Sequence, residues 1–138
     1  MRIANLFVLV ALVIAGGVAD AAAPSLSTAL SLQCAIQSVM ACTEADSCVR
    51  GTAATVALPP VLEIDVKAGI VRGDRSGRTV RIASQGTGGG RLMFHGQEVE
   101  IGGRAWNVVV AAETGVMTAA VLCEPGGYLM FGRCGPKP

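Results

Sequence analysis

Two cysteines and two acids lie close together in "ACTEADSCVRG": Cys42 and Cys48 enclose Glu44 and Asp46. Thiolates with carboxylates suit a metal loop. Paired cysteines suit a redox site or, in an oxidising compartment, a staple. Five residues separate Cys42 from Cys48, whereas zinc and thioredoxin-like sites use about two to four. No second cysteine pair or histidine cluster follows, and His95 is the single histidine. Two acids also fall short of the six to eight oxygens that calcium takes, and of the fixed acid spacing and glycine of an EF-hand loop. The spacing points to a disulfide between Cys42 and Cys48 closing a short turn, with both acids in water.

The other chemical candidates are weaker. His95 lies in "LMFHGQEVE", on the face opposite Phe94 if the segment is a strand. A catalytic histidine needs a nucleophile and an orienting acid. Glu98 and Glu100 are near in sequence, but there is no G-x-S-x-G and no recognisable nucleophile. An exposed strand histidine is the plain reading; a small enzyme assembled around His95 is the alternative. Glu63 and Asp65 could form a glycosidase-like carboxylate pair, yet alternation puts both on a solvated face. "GTGGGR" lacks the Lys-Ser/Thr and the strand-loop-helix setting of a phosphate loop, and reads as a flexible connector. Arg72, Arg75, Arg78 and Arg81, interrupted by Asp74, suggest an anion site but fit a solvated hairpin tip better. We expect no catalytic residue, no cofactor-binding residue and no metal.

The elements that must carry these residues begin after a leader. Arg2, the ten-residue apolar run Leu6 to Ala15 and the A-x-A site Ala19-Asp20-Ala21 form the three-part pattern of a secretory signal peptide over residues 1–21. The run is shorter than the roughly 20 apolar residues that span a bilayer; an uncleaved anchor is the alternative. Removing 21 of the 138 residues leaves 117, one domain over residues 22–138, with a core modest enough to profit from staples. The expected location is periplasmic or secreted, and the cleaved protein is not integral to a membrane. A formal charge of +1 offers no clustered basic face for nucleic acid. Five cysteines are expected to oxidise outside the cytoplasm. Five is odd, so at least one is left over or pairs between chains, and the pairing is open on spacing alone.

Most of the chain alternates with period two between glycine-rich turns. Leu62, Ile64 and Val66 share a face in "LEIDVKAG"; Val80 and Ile82, Leu92 and Phe94, Val99 and Ile101, then Trp106, Val108 and Val110 follow. "VMTAAVLC" and "YLMFGRC" close the series. Short strands about ten residues apart predict an all-β fold, a single small antiparallel meander forming a barrel or strongly curved sheet of seven or eight strands. The Cys34 segment fits a helical stripe or a strand; we take strand, in keeping with the rest. Residues 22–29 read as a loose lead and "GPKP" as a short tail. Trp106 has the phase of the core. Tyr128 and Phe131 fall on opposite faces, which leaves one for a partner surface.

The combination of Cys34, Cys42 and Cys48, the L-x-I-D strand at Leu62, Ile64 and Asp65, Trp106, the Thr114-Gly115 turn, and Phe131-Gly132 with Cys134 resembles a group of small exported bacterial proteins. Over about 100 residues, these are motifs of a fold. The group has no assigned activity, so the resemblance implies a β fold and export and lends no catalytic residue. Cys123 stands outside the pattern and is its candidate for the unpaired thiol. The second bridge is then expected between Cys34 and Cys134, tying the first strand to the last; Cys123 with Cys134 is the alternative. The expected role is a non-enzymatic binding or interaction module of the cell envelope, for a protein partner or a small apolar ligand. An inhibitor of an extracellular hydrolase, a small enzyme around His95 and a passive structural component are the alternatives.

Overall fold

The computed structural model describes residues 25–44, 46–73, 78–99 and 102–138. The expected signal peptide, its cleavage after Ala21, and Asp74, Arg75, Glu100 and Ile101 lie outside the described residues. Among the described residues, one antiparallel sheet of ten strands is formed: β1 (Ser31–Glu44), β2 (Ser47–Gly51), β3 (Val61–Asp65), β4 (Ile70–Gly73), β5 (Thr79–Arg81), β6 (Ser84–Gly88), β7 (Arg91–Glu98), β8 (Arg104–Ala111), β9 (Val116–Cys123) and β10 (Gly126–Pro136). They lie in the order β5-β4-β3-β1-β10-β9-β8-β7-β6, with β2 also on β1. The long β1 is the hub. One edge pairs with β10; the other pairs with β3 near its start and with β2 near its end.

The sheet is curled into a half-barrel, and period-two alternation decides what faces inward. Register stacks the inner residues in rows across the strands. Leu92, Val110, Met117 and Gly132 form one row; Phe94, Val108, Ala119, Met130 and Val39 the next; Gly96, Trp106, Val121 and Tyr128 the one beyond. These rows carry most of the buried core, in which Val110 is fully buried and Met117 nearly so.

The curl brings β5 beside β7. Two residues join β5 to β6, and they switch partners: Ile82 N–H donates to the Gly69 carbonyl (2.8 Å), while Ala83 N–H donates to His95 (2.8 Å). The chain thus leaves one end of the sheet and enters the other. That switch, with the β2 hairpin arm, explains ten strands where seven or eight were expected.

Three stretches expected to be irregular are ordered into the fold. "GTGGG" supplies the end of β6 and a left-handed turn at Gly89 and Gly90, because its backbone pairs with β7 despite lacking side chains. The lead is not loose where it is described: Leu26–Thr28 is a 3₁₀ turn, Leu26 is buried, and its N–H donates to the Ala112 carbonyl at 2.8 Å. The "GPKP" tail continues β10 to Pro136, and Lys137 binds Glu63 at 2.8 Å.

Cys34 stands opposite Cys134 in the β1–β10 register and is bonded to it; Cys42 stands opposite Cys48 in the β1–β2 hairpin and is bonded to it. Cys123 is free. Two such bridges accord with an oxidising compartment. Among the described residues no helix is long and apolar enough to cross a membrane.

Candidate functional site

The row of Gly96, Trp106, Val121 and Tyr128 lies near one end of the half-barrel. A cavity of about 90 Å³ opens there, walled by Leu62, Val71, Val80, Val108, Val121 and Met130 around the Trp106 indole. Alternation delivers these aliphatic side chains to the inner face, and the indole packs directly against Gly96. A Cβ at Gly96 would lie 2.2 Å from Trp106 Cζ2 and 2.6 Å from the Arg81 carbonyl oxygen.

Trp106 is buried, and its Nε1–H has no hydrogen-bond partner among the described residues. A buried donor without an acceptor costs about 1–3 kcal/mol. The fold carries that cost in the wall of an apolar cavity.

The rim is polar. Glu98 ends β7 and faces inward, two residues beyond Gly96 on the same alternation. Arg104 begins β8 opposite Glu98, two residues before Trp106. Arg78, just before β5, pairs with Glu98 across the seam between β5 and β7. Arg78 is therefore not part of a solvated hairpin tip. Arg72 and Arg81 are exposed, and Arg72 lies 3.6 Å from Glu63. Arg104 is half-buried with no ion-pair or hydrogen-bond partner among the described residues. Tyr128 completes the rim. Burial pushes its hydroxyl pKa above the ordinary value, with Arg104 pulling the other way and Cys123, Glu98 and Arg78 also within electrostatic reach. At neutral pH the phenol is a neutral donor.

The chain matches no known family model, no curated protein and no solved structure. Its chemistry must be read from its own side chains.

The other sequence candidates are dispersed. His95 is exposed on the outer face, in register with Ser84 on one side and Asn107 on the other. No side-chain hydrogen bond among the described residues links the three, and Glu98 points to the opposite face of β7. Glu63 is occupied by Arg72 and Lys137, and Asp65 accepts the Ala68 N–H at 2.8 Å. Glu44 and Asp46 are exposed beside the Cys42–Cys48 bridge, whose sulfurs are consumed. Cys123 lies at the rim end of β9, half-buried. Tyr128 and Phe131 part company: Tyr128 turns toward the cavity, while Phe131 is 43% exposed on the outer face.

Sequence reasoning missed Arg78, Glu98 and Arg104 as a set. For Glu98 and Arg104 the signal was present in phase: each sits two residues from an inward residue of its own strand.

Proposed function

We propose that the protein is an exported, non-enzymatic binding module that holds a small, largely apolar ligand in the mouth of its half-barrel. The observation that carries this reading is the apolar cavity beside the buried, unpartnered Trp106 indole N–H, open at a polar rim. Small barrels hold one such ligand where side chains leave room, and ligand sites are mostly apolar concavities with a few placed polar groups. Export rests on the N-terminal leader pattern together with the two disulfides. The non-enzymatic reading is supported by His95 lying exposed on β7, while Glu63 and Asp65 on β3 are engaged by Arg72, Lys137 and the Ala68 N–H.

Native mass spectrometry of protein purified from the periplasm without reductant tests this. A one-to-one adduct, lost when Val108→Trp fills the cavity, is the expected result. A bare chain whose Trp106 emission responds to no small apolar compound would sink the reading.

A second reading is favoured by the outer face. Met93, Val109, Thr118 and Phe131 lie in one register row across β7 to β10, with Leu129 and Leu122 exposed nearby. Such a row suits an envelope protein, or the hydrolase target of an inhibitor, since aromatic and aliphatic residues anchor interfaces. Under this reading Phe131→Asp abolishes partner capture and leaves the fold intact.

A further inference from the structure

The rim determines what kind of ligand the cavity suits, and this step rests on the binding reading above. The cavity is small. About 90 Å³ is room for roughly three water-sized groups. Only the end of a ligand enters it, and the rest must lie at the rim.

The rim is not electrically neutral. Glu98 is engaged by Arg78. Arg104, opposite Glu98 in register, keeps a positive charge with no ion-pair partner among the described residues. A guanidinium presents five donors in a fixed fork that matches a carboxylate. Tyr128 adds a hydroxyl donor at the same rim. Deeper in, the Trp106 Nε1–H lacks an acceptor. Indole N–H and guanidinium groups donate only, and Glu98 Oε2 is taken by Arg78. The site therefore offers more donors than acceptors, which favours a ligand that accepts and is negative.

The distance between the two features is set by the strand. Arg104 and Trp106 are two residues apart on one face of β8, about 7 Å at the rise of a β-strand. An acyl chain of a few carbons spans that length. A cationic head would meet Arg104 and Arg78 at close range, and a polar neutral head would leave Arg104 unpaired.

We infer that the ligand is a small amphipathic anion, whose apolar end enters the cavity beside Trp106 and whose negative head stays at the rim against Arg104. The inner wall selects for an aliphatic end, and the rim selects for charge.

Hexanoate and hexanol differ in the head and share the tail, so they separate the two claims. Trp106 is the single tryptophan of the chain, so its emission reports the cavity directly. Both compounds are titrated against the full folded protein, with hexylamine as the cationic counterpart. Saturable emission changes are expected for hexanoate at least tenfold tighter than for hexanol, with hexylamine the weakest. Arg104→Gln should bring hexanoate down to the level of hexanol. Arg104→Lys, which keeps the charge, should retain most of the preference and guards against misreading a misfolded variant. Hexanol binding as tightly as hexanoate, or hexylamine binding tighter, would overturn the anion assignment and leave the cavity reading standing. No response to any of the three would overturn both.

Discussion

Gly96 faces Trp106 across the β7–β8 register, and the indole occupies the space that a side chain at Gly96 would need. The same glycine meets the Arg81 carbonyl, where β5 approaches β7. One missing methyl group therefore serves two purposes: it seats the largest residue of the core and lets the ends of the curled sheet come together.

Gly96→Ala should be destabilising although glycine is ordinarily the poorer strand residue. Its Cβ would meet a packed indole and a backbone oxygen, and overpacking of this kind costs about 1–3 kcal/mol. Urea unfolding followed by Trp106 emission measures it. Equal or greater stability would mean that the indole has room to move aside.

The two disulfides should differ in weight. Cys34–Cys134 closes a separation of 100 residues and Cys42–Cys48 one of 6. In the chain-entropy model the first contributes about 4–5 kcal/mol and the second about 2. Replacing each pair by alanine and comparing urea midpoints tests the order. Loss of the short bridge costing as much as loss of the long one would contradict it.

Tyr128 should titrate late. It is the single tyrosine of the chain, so tyrosinate absorbance reports it alone. Burial favours the neutral phenol and raises the folded-state pKa above the ordinary value of about 10. The stabilisation is then full below about pH 10 and is lost as the pH rises through the folded-state value. A folded-state midpoint at or below that of the urea-unfolded chain would refute the assignment. Tyr128→Phe should lose this part of the alkaline instability.

The Arg78–Glu98 pair joins β5 to β7 at the rim, with side chains 35% and 16% exposed. A double-mutant cycle with Arg78→Met and Glu98→Gln should give a coupling of up to about 1 kcal/mol, since solvent screens a partly exposed pair. Zero coupling would remove the pair from the seam.

Cys123 should be the one titratable thiol. Dithionitrobenzoate should find one thiol per chain in denaturant, and only slow reaction in the folded protein, where the residue is half-buried. Cys123→Ser should leave the free energy of urea unfolding within about 0.5 kcal/mol. Two or more thiols in the unfolded, unreduced chain would mean that a bridge is open.

Much of the fold was legible residue by residue because alternation is a local property. "LEIDVKAG" and "AWNVVVA" declare a buried face by their own spacing, and Trp106 falls in phase with Val108 and Val110 without reference to the rest of the chain. The six-residue separation of Cys42 and Cys48 likewise marks a hairpin staple. Where side chains were small or polar the local signal failed. "GTGGG" looks like a connector because glycines carry no pattern, yet its backbone pairs with β7. "GPKP" and Leu26 belong to the fold only through partners far away, Ser31 and Glu63 for the first and Ala112 for the second.

What the sequence determined by itself was the all-β class, the inward face of each strong strand and the oxidising setting its cysteines suit. These follow from period-two spacing and from residue chemistry, both readable within a few positions. The tertiary structure alone decided that β5 and β7 meet, that Arg78 turns from a hairpin to Glu98, and that Arg104 and Tyr128 share the rim of a cavity beside Trp106. Those relations depend on the curl and register of the whole sheet, which place residues dozens of positions apart side by side and which no single strand encodes.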